Sequence, residues 1–349
     1  MADAYSAYNR RDYDSAIQIL RAAAEANNPR AQDVLGTMYL FAWLGVKLDV
    51  AEGIRLLRAA AENNVVHAQI VLADQYELGR KVPADLSEAL RWCRRAADNG
   101  DVRSQARIGR AYWFGEGEPE NKVEALRWYR RSAEGGWSGA QIVLADLYLV
   151  GEGVTPNPAE SFHWYLMAAE QRNNAAYRNL GHMYERGFGT SRDYAKAIYW
   201  FELAAKGFDE VAEYRLGALR ESGQGVSADV SLALAWYRAS ADKGFRPAQY
   251  RLALAYLRGE GVAVDTTEAF KWLLLALSGG RERSQVNADF DRHPELFFIL
   301  NDWEMDPATY EDAVATRRRL YSTLSRAEIA NAKSLAEEFI PNSPIPPAP

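Results

Sequence analysis

The chain is poor in the residues that most often carry chemistry. Cys93 is the single cysteine in 349 residues, so an intrachain disulfide framework is impossible. The four histidines, His67, His163, His182 and His293, stand far apart and show no metal-ligand spacing. No apolar run approaches the roughly 18 residues that a membrane span requires. Positive charge is not in excess: 41 Lys and Arg face 47 Asp and Glu, a net charge of −6, which disfavours a nucleic-acid partner. The N-terminal stretch MADAYSAYNRRDYDSAI has no apolar core and places its arginines too late for a signal peptide. As written, the chain reads as cytoplasmic and not inserted in a membrane. Phosphate-binding loops of the Walker type, nucleophile elbows and paired-cysteine zinc motifs are missing. The expectation is no catalytic residue, no metal and no cofactor.

What the chain has in abundance is repetition. Ala68, Ser104, Ala140, Ala176, Ala212, Ala248 and Ser284 stand 36 residues apart, and Ala31 precedes them by 37. A second column holds Trp92, Trp128, Trp164, Trp200, Trp236 and Trp272, with Leu56 completing it, so six of the ten tryptophans share one position. A third column reads Leu35, Leu72, Ile108, Leu144, Leu180, Leu216 and Leu252, each followed by Gly or Ala. A fourth reads Tyr39, Tyr76, Tyr112, Tyr148, Tyr184 and Tyr256, with Arg220 as the departure. Several columns recurring in register mean an array of one structural unit, stable only by stacking.

Each unit predicts two helices. The small anchor, Leu, Gly or Ala, and Tyr fall at offsets of zero, four, five and eight, one stripe of a first helix. Glycine-rich turns beginning at Gly115, Gly151, Gly187, Gly223 and Gly259 end that helix, since glycine accepts positive φ without steric cost. Asp49, Asp85, Asn121, Asn157, Asp193, Asp229 and Asp265 start the second helix as N-caps. Glu follows three residues later in five of these units, the pattern of a capping box. The tryptophan column is expected to wedge between neighbouring units.

These columns resemble the Sel-one-like repeat family, a branch of the tetratricopeptide superfamily. The clearest strings are AEYRLGALRESGQGVSADVSLALAWYRASADKGF from Ala212 and AQYRLALAYLRGEGVAVDTTEAFKWLLLALSGG from Ala248. The resemblance implies an all-α fold, a right-handed α-α superhelical solenoid of 36-residue helix-turn-helix repeats with first helices lining the concave face. The domain reading is a degenerate helix pair over 1–30, then repeats at 31–67, 68–103, 104–139, 140–175, 176–211, 212–247 and 248–283. A half repeat and capping helices follow over 284–340, with a Pro-rich tail expected to be disordered over 341–349. The family also implies a scaffold or adaptor without enzymatic activity, holding a protein or peptide partner. Members associated with β-lactams carry a cysteine pair in each repeat, which this chain lacks.

The residues themselves agree with a non-catalytic reading. The Gly-x-Gly turns join helix to helix and recur with the period, so they are helix breaks rather than phosphate cradles. The paired carboxylates at helix starts are explained by capping, with no pair set apart for acid/base work. Cys93 follows Trp92 inside a second helix and reads as a small packing residue. The positions that vary freely lie at offsets two, six, nine and ten of the first helices, where the tetratricopeptide frame places the concave face. From these come the candidate partner-binding residues Asp74, Arg110, Trp113, Asp146, Arg178, His182, Arg186, Tyr214, Tyr250 and Leu254. Trp113, Tyr214 and Tyr250 beside arginines would be exposed aromatic anchors of an interface. An alternative is an exported, periplasmic cell-envelope protein that binds glycan or peptidoglycan fragments, if the native N-terminus was trimmed. RNA binding is disfavoured by the net charge and by Asp74 and Asp146 within the candidate face.

Overall fold

The computed structural model describes residues 2–278 and 306–339. The expected eighth first helix from Ser284, the segment through 305 and the Pro-rich tail lie outside the described residues. Within these, 18 α-helices and one short 3-10 turn occur and no strand. The chain forms two compact units, Met1–Leu144 and Ala145–Pro349.

Unit 1 opens with α1 (Ala2–Asn9) and α2 (Tyr13–Glu25). Helix pairs follow: α3 (Pro29–Phe41) with α4 (Val50–Glu62), α5 (Val66–Leu78) with α6 (Leu86–Asp98), and α7 (Val102–Phe114) with α8 (Lys122–Glu134). The boundary falls inside α9 (Ser138–Val150). Unit 2 continues with α10 (Pro158–Glu170), then the pairs α11 (Asn174–Arg186) and α12 (Tyr194–Lys206), α13 (Glu210–Ser222) and α14 (Val230–Asp242), α15 (Arg246–Arg258) and α16 (Thr266–Leu277). It ends with α17 (Pro307–Thr323) and α18 (Arg326–Phe339), both packed on α16. In each unit the most extensive contacts lie within a pair, and each second helix also packs on the next first helix, the stacking of a solenoid.

All seven expected N-caps form, each side-chain oxygen accepting the backbone N–H three residues on. The capping boxes do not close. The N–H of each cap donates instead to the backbone carbonyl at the tyrosine position of the preceding helix, at 2.7–3.0 Å. The glutamates are therefore released to Arg55, Arg91, Arg127, Trp164 and Lys271. Because the acceptor is backbone, Arg220 serves as well as tyrosine. The reciprocal box does form at Ser325 and Glu328.

The tryptophan column is not the deepest one. Trp92, Trp164 and Trp272 are buried, while Trp128, Trp200 and Trp236 remain partly exposed. The next residue of each second helix is buried throughout: Leu57, Cys93, Tyr129, Tyr165, Phe201, Tyr237 and Leu273. These side chains point into the hairpin and meet the Gly or Ala five residues after the anchor. A Cβ on Gly181 would lie 2.5 Å from the Phe201 ring, and one on Gly217 would lie 2.7 Å from Tyr237. Glycine sits opposite Leu57, Tyr129, Phe201 and Tyr237; alanine sits opposite Cys93 and Leu273 and, as the exception in size, opposite Tyr165. Size is exchanged across the pair so that the interior stays close-packed. A glutamine column one residue after the anchor (Gln32, Gln69, Gln105, Gln141 and Gln249) donates Nε2 to an alanine carbonyl eight residues earlier, tying each first helix to the helix before it.

Candidate interaction surface

In both units, consecutive first helices are joined by one recurring position pair. Offset nine of one repeat faces offset three of the next. Three times the pair is Glu against Arg: Glu77 with Arg107 in unit 1, and Glu185 with Arg215 and Glu221 with Arg251 in unit 2. Where offset nine is Leu40, its counterpart is Val71 in the same apolar cluster, whereas Leu149 has the polar Asn179 as its counterpart.

In unit 1 the ladder gathers a charged cluster. Arg107 donates to Asp74 at 2.7 Å and to Glu77, and Arg110 donates to Glu77 at 2.8 Å. Asp74 and Arg110 are thus brought together, with half of the Arg110 side chain open to solvent. Trp113 is half-buried, its ring 5.0 Å from the Lys122 ammonium, a cation–π contact that shields one face. The next position is the exposed one. Phe41, Leu78 and Phe114 occupy offset ten in three successive repeats and are 38%, 53% and 64% exposed. Offset ten is the last residue of each of these helices, directly before the turn.

In unit 2 most candidate side chains on the corresponding face are tied to neighbours, and a cavity of about 520 Å³ remains there, lined by Tyr214, Tyr250, Leu254 and Arg258 together with Asp312 of the C-terminal helix pair. The Tyr165 hydroxyl donates to Asp146, and burial pushes that carboxyl up to about 6 despite this bond. Arg178 donates to the buried Asp209 at 3.0 Å. His182 has no exposed surface, and neither ring nitrogen has a hydrogen-bond partner among the described residues. Its Nδ1 is 3.7 Å from Glu185, beyond hydrogen-bond distance. Burial drives its pKa down to about 4, so the ring is neutral near pH 7. Burial also opposes ionisation of Glu185, but its contacts with His182 and Arg215 outweigh that and hold it near 2. Arg186 is partly buried. Tyr214 packs against Tyr237 and Phe245 at 5.5 and 5.3 Å between ring centres.

Tyr250 and Leu254 are turned into the core, 3% and 8% exposed, and the Tyr250 hydroxyl donates to Asp312 of α17. Neither Tyr214 nor Tyr250 is therefore the exposed anchor that its offset suggested. The physical reason is α17, whose Ala313 and Leu320 share the apolar cluster of Tyr250 and Leu254. Sequence reading missed the stripe of Phe41, Leu78 and Phe114 as a unit, although all three stood in one column. It missed the Glu–Arg ladder too, which an offset-nine-to-offset-three comparison would have found.

Among the described residues, no group of three or more His, Cys, Asp or Glu is placed to hold a metal, and no helix is long and apolar enough to cross a membrane. Cys93 is buried, its thiol pKa raised by burial and its Sγ 3.5 Å from the Ser104 carbonyl.

Comparison with known families matches the Sel1 repeat eight times, at residues 10–28, 29–65, 66–101, 102–137, 138–173, 174–207, 211–245 and 246–280. The chain belongs to the Sel1 repeat family. Among solved structures it is similar to a Sel1 repeat protein from Oxalobacter formigenes, at 33% identity over 79% of this chain and 80% of that one, with a TM-score of 0.62. It is also similar to a protective antigen present in uropathogenic Escherichia coli strains and displaying an SLR fold, at 28% identity over 94% of this chain and 79% of that one, with a TM-score of 0.61. A comparison with curated proteins finds no match. Sel1 repeat proteins generally act in protein–protein interaction, and Sel1 solenoids are generally non-catalytic. The expected all-helical array of repeats is thus what the chain forms.

Proposed function

We propose that this Sel1 repeat protein is a non-enzymatic scaffold that holds a protein partner on the first-helix face of unit 1. One observation carries the reading: Phe41, Leu78 and Phe114 expose large apolar side chains at the same position of three successive repeats. Scattered exposed apolar residues need no explanation, but a periodic row beside charged side chains has the make-up of a binding surface. Asp74, Glu77, Arg107 and Arg110 form its polar shoulder, with Trp113 set back beneath Lys122. The partner chemistry that fits is a helix or extended segment with apolar anchors at a matching interval and charges of both signs beside them. In unit 2, Arg178 and Arg186 are the candidate contributors to a partner surface, but their partly buried setting makes that face secondary.

The test is site-specific photo-crosslinking in the native cell. A photoreactive phenylalanine at position 78 or 114 should capture the same protein. The same probe at Val123, which is 66% exposed on the second helix α8, should not. Leu78→Glu with Phe114→Glu should abolish capture from a probe at position 41 while leaving the helical circular dichroism intact. Capture from position 123 alone would refute the reading.

A further inference from the structure

A second surface in unit 1 has a different character. A cavity of about 500 Å³ lies between α1, α2, α3 and the turn that follows α3, within the size range of ligand sites. Tyr5 and Tyr8 lean over the opening, 69% and 47% exposed, above a floor of Ile17, Leu20 and Met38.

The turn at its rim departs from the repeat. The third to seventh repeats use Gly-x-Gly there, both glycines at positive φ, as at Gly115 and Gly117, and the second keeps the first glycine as Gly79. The first repeat holds Ala42 and Leu44 in that region, at φ 56° and 53°, an unfavourable conformation for side-chain-bearing residues. The result is that Trp43 and Leu44 line the cavity, 56% and 41% exposed.

One wall is polar. Asp33 and Thr37, a helical turn apart on α3, are 8% and 5% exposed, and both line the cavity. The Thr37 hydroxyl is buried with no hydrogen-bond partner among the described residues. Leaving such a group unpaired is costly, and Thr37 lines the cavity. The Asp33 carboxylate has one cover: His67, whose Nδ1 lies 2.8 Å from it. The His67 side chain is 61% exposed, so it can swing into water and leave the carboxylate to a stronger partner.

We propose that this cavity binds an organic cation carried on an apolar stem, the cation seated between Asp33, Thr37 and the aromatic rim in place of His67. The carboxylate supplies the counter-charge. Tyr5, Tyr8 and Trp43 offer ring faces, which attract cations, and Ile17, Leu20 and Met38 take the stem. An anionic ligand would meet Asp33 without compensation. The same chemistry exists in a small amine and in a Lys or Arg side chain flanked by apolar residues of a protein. Phe41 stacks on the rim residue Trp43, but Leu78 and Phe114 do not line the cavity, so variants at those two positions let the two proposals fail separately.

The test is isothermal titration calorimetry of the full chain with 4-phenylbutylammonium, 4-phenylbutanol and 4-phenylbutanoate. A blocked Leu-Lys-Phe peptide and its norleucine counterpart form the second arm. The ammonium should bind at least tenfold more tightly than the alcohol, and the carboxylate should not bind. Asp33→Asn should erase the preference, Thr37→Val should weaken binding severalfold, and His67→Ala should strengthen it severalfold. Should Asp33→Asn disturb folding, Tyr5→Ala, at an exposed position, should still weaken the ammonium severalfold. Preference for the lysine peptide over norleucine by the same factor would support the proposal and assign the cation to a protein partner. Equal binding of ammonium and alcohol would overturn it, as would an unchanged affinity in folded Asp33→Asn. Sedimentation showing a dimer that Tyr5→Ala dissociates would also overturn it, by making the cavity a contact between copies.

Discussion

Replacing Gly181 by alanine tests whether the size exchange across each hairpin is what holds a pair at its spacing. The new Cβ would lie 2.5, 2.6 and 2.9 Å from Cε1, Cδ1 and Cζ of Phe201. Ordinary carbon contacts are about 3.5–4.0 Å, so the ring must retreat by about 1 Å. It has no room, being fully buried, with His182 edge-on at 5.1 Å between ring centres. Overpacking of this kind costs about 1–3 kcal/mol, and the gain in helix propensity from Gly to Ala returns about 1 kcal/mol. Gly181→Ala should therefore lose up to about 2 kcal/mol. Phe201→Leu alone leaves a partial cavity and should lose about 2 kcal/mol. The double variant reproduces the native Ala253–Leu273 pairing of a later hairpin in the same unit, where both residues are fully buried. It should therefore cost less than the two single losses added, by about 1–2 kcal/mol of coupling. Urea unfolding followed by far-ultraviolet circular dichroism, with unchanged slopes, measures all four corners of the cycle. A double variant whose loss equals the sum of the singles would refute the size-exchange argument.

Three further predictions follow from the buried charges and the caps. Glu185→Leu alone removes the ladder partner of the mostly buried Arg215 and should cost about 3 kcal/mol; adding Arg215→Val, after the native Leu40 and Val71, should recover most of that in a urea titration. His182 stays neutral in the fold down to about 4 while the unfolded chain takes up its proton near 6.5, so it withdraws stability as pH falls through that window. Asp146, raised to about 6, acts oppositely by holding a proton that the unfolded chain releases near 3.8. Asp146→Asn should therefore lose stability from pH 6.5 to 4, and His182→Leu should gain it relative to the native chain, by up to about 3 kcal/mol each; parallel urea midpoints in both variants would contradict this. Phe208, 76% exposed, sits at φ 64° where sister repeats carry Gly100, Gly136 and Gly244, so Phe208→Gly should raise the thermal midpoint, by about 1 kcal/mol in stability.

The repeat, its helix pairs, the seven N-caps and the glycine turns were legible because each rests on local chemistry written into the same position again and again. The capping boxes were misread for a specific reason: the N–H of each cap is taken by a carbonyl of the preceding helix. That bond joins two backbone groups and leaves no mark in side-chain identity. Depth was misjudged in the same way, since tryptophan is the larger residue but the side chain after it points into the hairpin. The candidate residues divide likewise. Asp74 and Arg110 sit in a charged cluster open to solvent, while Tyr250 and Leu254 share an apolar cluster with α17.

By itself the sequence determined the class of fold, the period and the ends of the helices, all set within a span of 36 residues. Only the tertiary structure decided which side chains remain at the surface. That depends on packing between segments distant along the chain: α17 packing on Tyr250, and arginines crossing from one repeat to the glutamates of another. A periodic pattern specifies neighbours inside the period, whereas exposure is settled where the period breaks.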